Sequence, residues 1–203
     1  MESFFLILLF SYLVGSIPFD YILVKIIKGI DIRKVGSGNP GATNVKRILG
    51  WPGLVAAFIL DAFKGVVPVW LAWHVFNLPV WEVTLVGSAA IIGHILSIFL
   101  WFKGGKGVST IMGVFLVLNP LIGGAALASW LFLYLRTGFS SAGSLLAALV
   151  IPVTQIAKQI FDPAPSLADS LPVTIFSFLV LGLIVYSHRE NIGRLLNGTE
   201  RKA

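Results

Sequence analysis

Six long apolar stretches dominate this 203-residue sequence and constrain its fold more than any other feature. A helix needs about 20 apolar residues to cross the hydrocarbon core of a bilayer, and most of these stretches are that long. Only 12% of the residues are charged, against about 25% in a typical soluble domain. The sequence therefore predicts a single all-α integral membrane domain over residues 1–203. The stretches lie at about 3–27, 51–76, 80–102, 108–135, 141–160 and 171–187.

The stretch 108–135 is long enough for one span, but Asn119-Pro120 interrupts it near the middle, where the chain can reverse direction. With a reversal there, thirteen of the fifteen Lys and Arg residues share one face: Lys25, Lys28, Arg33, Lys34, Lys46, Arg47, Lys103, Lys106, Arg136, Arg189, Arg194, Arg201 and Lys202. The positive-inside rule makes that face cytoplasmic. We therefore expect about seven transmembrane helices, some of them short, with the N-terminus outside and the C-terminus cytoplasmic. Five spans with re-entrant pieces are the alternative.

Two charged residues, Asp61 and Lys64, lie inside the second apolar stretch. Three residues apart, they share a helical face and can pair. Charges within a membrane are costly and usually mark function. A structural ion pair near the interface and a functional pair both fit this spacing.

The first basic connection contains the run GSGNPGATN at 36–44, followed by Lys46 and Arg47. Glycine turns present backbone N–H groups that can form an anion-binding nest, and a guanidinium can bind phosphate through two parallel hydrogen bonds. A polar turn between two helices would also contain Gly, Pro and Asn, but it would not need nine such residues beside two cations. We predict anion binding here by Ser37, Gly38, Asn39, Gly41, Thr43, Asn44 and Arg47.

A second glycine-rich segment, KGGKGVST at 103–110, opens the next helix. Glycines before a helix can present free N–H groups to phosphate, and Lys106 adds a positive charge. The Walker A pattern fails, because Leu100 stands at its first glycine position and Gly107 follows the lysine. A simple basic membrane anchor would explain the lysines but not the glycines. We therefore predict a phosphate-binding loop that includes Gly104, Gly105, Lys106 and Gly107.

The third segment is HRENIGRLLNGTE at 188–200. On a helix, His188 and Asn191 share one face, and Arg189 and Arg194 are expected to point elsewhere. A histidine beside an anion site can act as a base, a hydrogen-bond donor or a charged anchor. Taken alone, the segment is also typical of a solvated basic tail next to a membrane.

These three segments, in this order, resemble the signature motifs of the bacterial acyl-phosphate:glycerol-3-phosphate acyltransferases. The matching runs are GSGNPGATN, GHILSIFLWFKGGKGVST and HRENIGRLLNGTE, and the opening GSIPFDYILVK is also similar to that family. The resemblance implies Ser37, Arg47, Lys106, His188 and Asn191 as catalytic residues. It implies transfer of a fatty acyl group from acyl phosphate to the sn-1 hydroxyl of glycerol 3-phosphate. The products would be lysophosphatidic acid and phosphate, formed at the cytoplasmic face of the bacterial inner membrane as the first step of phospholipid synthesis.

Acyl phosphate, glycerol 3-phosphate and membrane lipid are thus the expected partners, with no nucleic acid and no obligatory protein partner. No cofactor or metal is expected, because the sequence has no carboxylate cluster for Mg²⁺, its histidines are scattered and it has no cysteine. The H-x-x-x-x-D dyad of other glycerolipid acyltransferases is absent. We expect His94, inside a helix, to be a packing residue rather than a catalyst.

An organic-phosphate transporter and a purely structural membrane protein are the two alternative interpretations. A transporter for organic phosphates would use the same cations, but it would be expected to contain paired sequence repeats, which this chain lacks. A purely structural membrane protein would leave the glycine-lysine segments unexplained.

Overall fold

The computed structural model describes residues 2–161 and 166–202, and within these ranges the chain is helical and contains no strand. The predicted all-α class is confirmed. Five segments are long and apolar enough to cross a membrane: Ser3–Lys28, Ala42–Val75, Val80–Leu100, Ser140–Phe161 and Leu167–Ser187. The helices are α1 (Glu2–Ser16), α2 (Phe19–Lys28), α3 (Ala42–Trp70), α4 (Val80–Ile95), α5 (Val108–Leu118), α6 (Pro120–Thr137), α7 (Ser140–Phe161), α8 (Leu167–Ser187) and α9 (Arg189–Leu196).

The first apolar stretch forms one candidate membrane span, Ser3–Lys28, that contains two helices. Helix α1 ends at Ser16 and α2 begins at Phe19. Pro18 between them has no N–H group for an intrahelical hydrogen bond, and it also disfavours helical geometry at the residue before it. Helix α2 ends at Lys28, and Gly29 caps it in the left-handed conformation with φ 72°.

Helix α3 also has two parts, because Gly50 adopts φ 72° and ψ −163°, outside the helical region. A residue with a Cβ rarely adopts this conformation. The part before Gly50 carries the last three residues of the first polar motif, together with Lys46 and Arg47. The part from Trp51 onward corresponds to the predicted apolar stretch 51–76, and it also contributes Phe58 and Asp61 to the cavity described below.

The predicted break at Asn119-Pro120 is confirmed, since α5 ends at Leu118 and α6 begins at Pro120. The Asn119 carboxamide oxygen accepts hydrogen bonds from the backbone N–H groups of Leu121 (3.1 Å) and Ile122 (3.4 Å). This side chain caps the new helix, and proline occupies the first helical position, where its missing N–H costs nothing.

Helices α1 and α4 run in the same direction. The Ser11 hydroxyl donates to the backbone oxygen of Val86 at 2.7 Å. Four residues further along both helices, Gly15 lies against the backbone of Ala90, where a side chain would not fit. Small residues at such positions allow helices to approach closely in membranes.

Helices α3 and α5 are also parallel to each other. The Thr110 hydroxyl donates to the backbone oxygen of Asp61 at 3.0 Å. Four residues further along, a Cβ on Gly65 would lie 2.9 Å from the backbone nitrogen of Val114. The directions of these two parallel pairs agree with a chain whose long segments alternate across the membrane.

The hairpin between α5 and α6 generates a test on two adjacent glycines. A Cβ on Gly123 would lie 2.6 Å from the backbone nitrogen of Leu116, whereas a Cβ on Gly124 meets nothing within 4 Å. We expect Gly123→Ala to destabilise the protein by about 1–3 kcal/mol through overpacking. The matched variant Gly124→Ala should be as stable as the wild type or slightly more so, since alanine favours helix. Thermal unfolding in detergent measures both, and equal stabilities would contradict the described packing of α5 on α6.

Candidate active site

The three motifs meet around one cavity of about 820 Å³. Twelve of the thirteen predicted site residues line it: Ser37, Gly38, Asn39, Gly41, Thr43, Asn44, Arg47, Gly105, Lys106, Gly107, His188 and Asn191. The predicted residue that does not line the cavity is Gly104. Residues as far apart in the sequence as Ser37 and Asn191 therefore converge on one polar site.

Asn44 holds the first motif in shape. Its side-chain nitrogen donates to the backbone oxygens of Ile32 (3.2 Å) and Val35 (2.9 Å), and its side-chain oxygen accepts from the backbone N–H of Ser37 (3.1 Å). The residue is 2% exposed. Since both ends of the carboxamide are engaged with the loop backbone, Asn44 acts as a positioning residue for the loop that carries Ser37.

Arg47 is linked to the C-terminal tail. Its guanidinium donates to the backbone oxygens of Arg201 (3.4 Å) and Lys202 (3.5 Å). Arg201 in turn donates to the backbone oxygen of Gly36 at 2.9 Å. The tail thus lies against the first motif, and Arg47 itself lines the cavity.

The glycines of the second motif have a different local role from the one predicted. The Gly104 N–H donates to the backbone oxygen of Ile95 (2.9 Å), and the Gly105 N–H donates to that of His94 (3.1 Å). A Cβ on either glycine would collide with His94. These two N–H groups are therefore used to dock the loop on the end of α4. Docking, rather than direct phosphate contact, accounts for these two glycines.

Lys106 is the cation that this docked loop presents to the cavity. Its ammonium donates to the side-chain oxygen of Asn191, so the second and third motifs are in direct contact. Burial, and then the nearby Arg194 guanidinium, lower the pKa of Lys106 to about 8. The lysine is thus charged at neutral pH in a partly desolvated position, where its attraction for an anion is strong.

Glu200 joins the third motif to α7, and it was missing from the predicted site. Its carboxylate accepts hydrogen bonds from Asn191 (2.7 Å), Arg194 (2.7 Å) and Ser141 (2.8 Å). These bonds outweigh burial and hold the pKa of Glu200 below its ordinary value. The prediction that Arg194 points away was wrong, since it lines the cavity and pairs with Glu200.

His188 ends α8 and is 3% exposed. Its Nδ1 atom lies 2.9 Å from the backbone oxygen of Ile184, which can only accept, so Nδ1 carries the proton. The Nε2 atom of the neutral ring is then a hydrogen-bond acceptor. Burial, and then the positive charge of Lys106, lower the pKa of His188 to about 4. The imidazole is therefore neutral at physiological pH.

Asp61 and His94 also line this cavity. The predicted pairing of Asp61 with Lys64 is confirmed at 2.8 Å, with each side chain 2% exposed. Elsewhere in the cavity lining, the Thr43 hydroxyl lies 2.7 Å from that of Ser140, which connects α3 to the start of α7. No local sequence pattern indicated Ser140 or Ser141.

The family model described as glycerol-3-phosphate acyltransferase matches residues 5–198 of this sequence. The chain belongs to the glycerol-3-phosphate acyltransferase family. The glycerol-3-phosphate acyltransferase of Aquifex aeolicus (strain VF5) is 40% identical over 204 residues, with all of both chains covered. That of Geotalea daltonii is 42% identical over 202 residues, which cover 98% of this chain and 97% of the relative.

Two crystal structures of PlsY, an integral membrane glycerol 3-phosphate acyltransferase, have the same fold. The glycerol 3-phosphate form gives a TM-score of 0.88 at 37% identity, covering 99% of this chain and 96% of that one. The lysophosphatidic acid form gives a TM-score of 0.85 at 36% identity, covering 98% and 95%. This acyltransferase family member is therefore a multi-pass membrane protein, as its apolar helices predicted.

Two neighbouring lysines of this acyltransferase allow a matched test of the cavity. Lys106 lines the cavity, whereas Lys103 is exposed outside it. We expect Lys106→Ala to lower the acyltransferase rate by about 10²–10³, the typical cost of losing a preorganised charge contact. Lys103→Ala removes the same charge and should retain most of the activity. The initial rates of the two purified variants test this difference. Equal, mild losses of activity would mean that both lysines are only membrane anchors.

Proposed function

We propose that this protein transfers a fatty acyl group from acyl phosphate to the sn-1 hydroxyl of glycerol 3-phosphate, giving lysophosphatidic acid and phosphate. The observation that carries the proposal is a single cavity lined by two kinds of residue. Arg47 and Lys106 are cationic, and the stacked rings of Phe58 and Trp130 are apolar. A donor with a phosphate at one end and a hydrocarbon chain at the other matches both. The ligands of the two PlsY structures, glycerol 3-phosphate and lysophosphatidic acid, support the acceptor and the product.

Acyl phosphate is a mixed anhydride, so its phosphate leaves readily and no acyl-enzyme intermediate is needed. The glycerol hydroxyl oxygen attacks the carbonyl carbon, the carbonyl π electrons move to the carbonyl oxygen, and the hydroxyl proton departs. When that electron pair returns, the bond between the carbonyl carbon and the phosphate oxygen breaks. The task of the protein is to place two anions side by side and to stabilise the negative charge that develops on the carbonyl oxygen.

Lys106 and Arg47 supply the positive potential that this task requires. The Arg47 fork can bind two phosphate oxygens at once, and the Lys106 ammonium can interact with a third. Ser37 and Asn39 add neutral donors from the first motif. Asn191 orients Lys106 from the other side and connects it to Glu200.

The substrate itself is the preferred base in this proposal. A phosphate monoester has a second pKa of about 6, so the glycerol 3-phosphate dianion can accept a proton near neutrality. His188, with a pKa of about 4, is a weak base at the same pH. Its neutral ring is better suited to accept a hydrogen bond through Nε2 and to hold the substrate in place.

The proposed setting is the inner membrane of a bacterium, crossed seven times, with the N-terminus outside and the cavity on the cytoplasmic face. The charge distribution supports this orientation, since Lys and Arg cluster on the side of the three motifs. The break at Asn119 supports the seven spans, and so do the parallel directions of α1 with α4 and of α3 with α5. Phospholipid synthesis needs its first acylation at this face, where soluble glycerol 3-phosphate meets membrane-embedded acyl chains.

The donor is tested with purified protein, glycerol 3-phosphate and three acyl donors of equal chain length. We expect acyl phosphate to give lysophosphatidic acid, and acyl-CoA and acyl carrier protein to give at least about 100-fold less, because the cavity offers charge for a phosphate but the sequence lacks the H-x-x-x-x-D dyad. The variant Lys106→Ala is the control for enzyme-dependent product. Comparable turnover with acyl-CoA would refute the proposed donor.

The base is tested by the pH dependence of the rate with glycerol 3-phosphate and with a phosphonate analogue of higher pKa. If the substrate dianion removes the proton, the acidic limb of the profile moves to higher pH with the analogue. The limb should also persist in His188→Gln, whose carboxamide can still accept a hydrogen bond. If the acidic limb does not move with the analogue and is absent from the profile of His188→Gln, His188 is the base.

A further inference from the structure

A buried ammonium group beside the cavity has all three of its hydrogen bonds in place. Lys64 Nζ lies 2.8 Å from Asp61 Oδ1, 2.9 Å from the backbone oxygen of Ile17 and 3.0 Å from His94 Nδ1. The ammonium has three donors and no acceptor. Each of its three N–H bonds therefore has one acceptor, and the Asp61 carboxylate balances its charge.

This arrangement determines where His94 carries its proton. Lys64 can only donate, so His94 Nδ1 must accept and cannot be protonated. Asp61 Oδ1 lies 3.7 Å from His94 Nδ1, too far to compete as a hydrogen-bond partner. The His94 ring is therefore neutral, with its single proton on Nε2.

The Nε2–H group lies at the cavity wall. The His94 side chain is 6% exposed, and the residue lines the cavity. The Nε2 atom lies close beside Gly105, where a Cβ would collide with it. Among the described residues, no backbone or side-chain group accepts a hydrogen bond from this atom, and the atom is open to the cavity. The His94 N–H group can therefore donate to an oxygen atom of a ligand bound there.

The position of this donor indicates which ligand atom it meets. The His94 ring lies against Gly105, the residue before Lys106, and Phe58 and Ile95 also line the cavity. In an acyl phosphate the carbonyl group is the junction between the hydrocarbon chain and the phosphate. A donor whose phosphate binds Lys106 and whose chain contacts the apolar residues would therefore have its carbonyl oxygen near His94.

We propose that His94 Nε2–H donates a hydrogen bond to the carbonyl oxygen of the acyl donor and stabilises the negative charge that develops there during attack. This inference rests on the proposed acyl-phosphate donor. A neutral imidazole suits the role, because it donates without giving up its proton as the oxygen becomes anionic. The buried pair of Asp61 and Lys64 then has a function, which is to hold the imidazole in the one tautomer that can donate into the cavity. His94 is thereby a catalytic residue, and the packing role predicted from its place in a helix is replaced.

Two near-isosteric variants separate this role from a structural one. In His94→Gln the carboxamide nitrogen reaches the position of Nε2, so the donor is kept and the acceptor for Lys64 is lost. In His94→Asn the carboxamide oxygen reaches the position of Nδ1, so the acceptor for Lys64 is kept and the donor is lost. We expect kcat with acyl phosphate to fall by about 10²–10³ in the Asn variant and by less than about 10-fold in the Gln variant. The reverse order would make His94 a structural residue and overturn the proposal.

A spectroscopic measurement reads the hydrogen bond itself. The probe is an acyl phosphonate in which a methylene group replaces the bridging oxygen and the carbonyl carbon is ¹³C. Its carbonyl stretch should be at lower frequency when bound to the wild type or His94→Gln than when bound to His94→Asn. Equal frequencies in all three proteins would refute the contact.

A third measurement needs no variant. ¹⁵N spectra of histidine-labelled wild type should show the His94 proton on Nε2, with that proton shifted downfield when the phosphonate binds. A proton on Nδ1, or no shift on binding, would refute the proposal even if the variants failed to fold. Turnover of acyl phosphate by the wild type reports separately on the donor. If the wild type turns over acyl phosphate but shows neither the Nε2 proton nor its shift, the proposed role of His94 is refuted and the proposed donor is not. If the wild type cannot use acyl phosphate, both proposals are refuted.

Discussion

The buried ammonium of Lys64 is the constraint around which the membrane-embedded part of this protein is arranged. A cation at this depth is tolerable only with full compensation, and removing one partner of such a pair typically costs about 3–5 kcal/mol. The compensating groups come from three places: Ile17 at the end of α1, Asp61 in α3 and His94 in α4. Helices α1, α3 and α4 are thus fixed to one another beside the cavity, which Asp61 and His94 line.

The loop of the second motif depends on the position of α4, which the Lys64 cluster fixes, because the loop docks on the last turn of that helix. Gly104 and Gly105 donate to the backbone oxygens of Ile95 and His94, which are exposed where α4 ends. The loop therefore fills part of the depth that a helix would otherwise occupy. This explains why α5, at 11 residues, is shorter than a full span. The shortness of α5 and the docking of the loop therefore have the same structural cause.

Much of the fold and of the candidate site could be predicted from the sequence, because the patterns that indicate them are local. Apolar length located the spans and proline chemistry located the break at Asn119. Residue type within each motif selected site residues of which all but Gly104 line the cavity. What the sequence could not indicate depends on contacts between distant segments. Nothing near Glu200 indicates that it accepts from Ser141, and helical geometry alone directed Arg194 away from the site. The tautomer of His94 follows from the donor count of Lys64, which is known only once Ile17 and Asp61 are placed in space.

The contacts of Arg47 have a consequence for how tightly a phosphate group can be held. Its guanidinium donates to two neutral carbonyl oxygens of the tail at 3.4 and 3.5 Å, which are long and weak hydrogen bonds. An arginine side chain carries about 2 kcal/mol of rotamer entropy, and these contacts already restrict part of it. In the proposed reaction, a phosphate group that binds Arg47 would exchange these weak partners for strong ones at a smaller entropic cost than with a freely rotating side chain. The C-terminal tail would thus preorganise Arg47 for the anion.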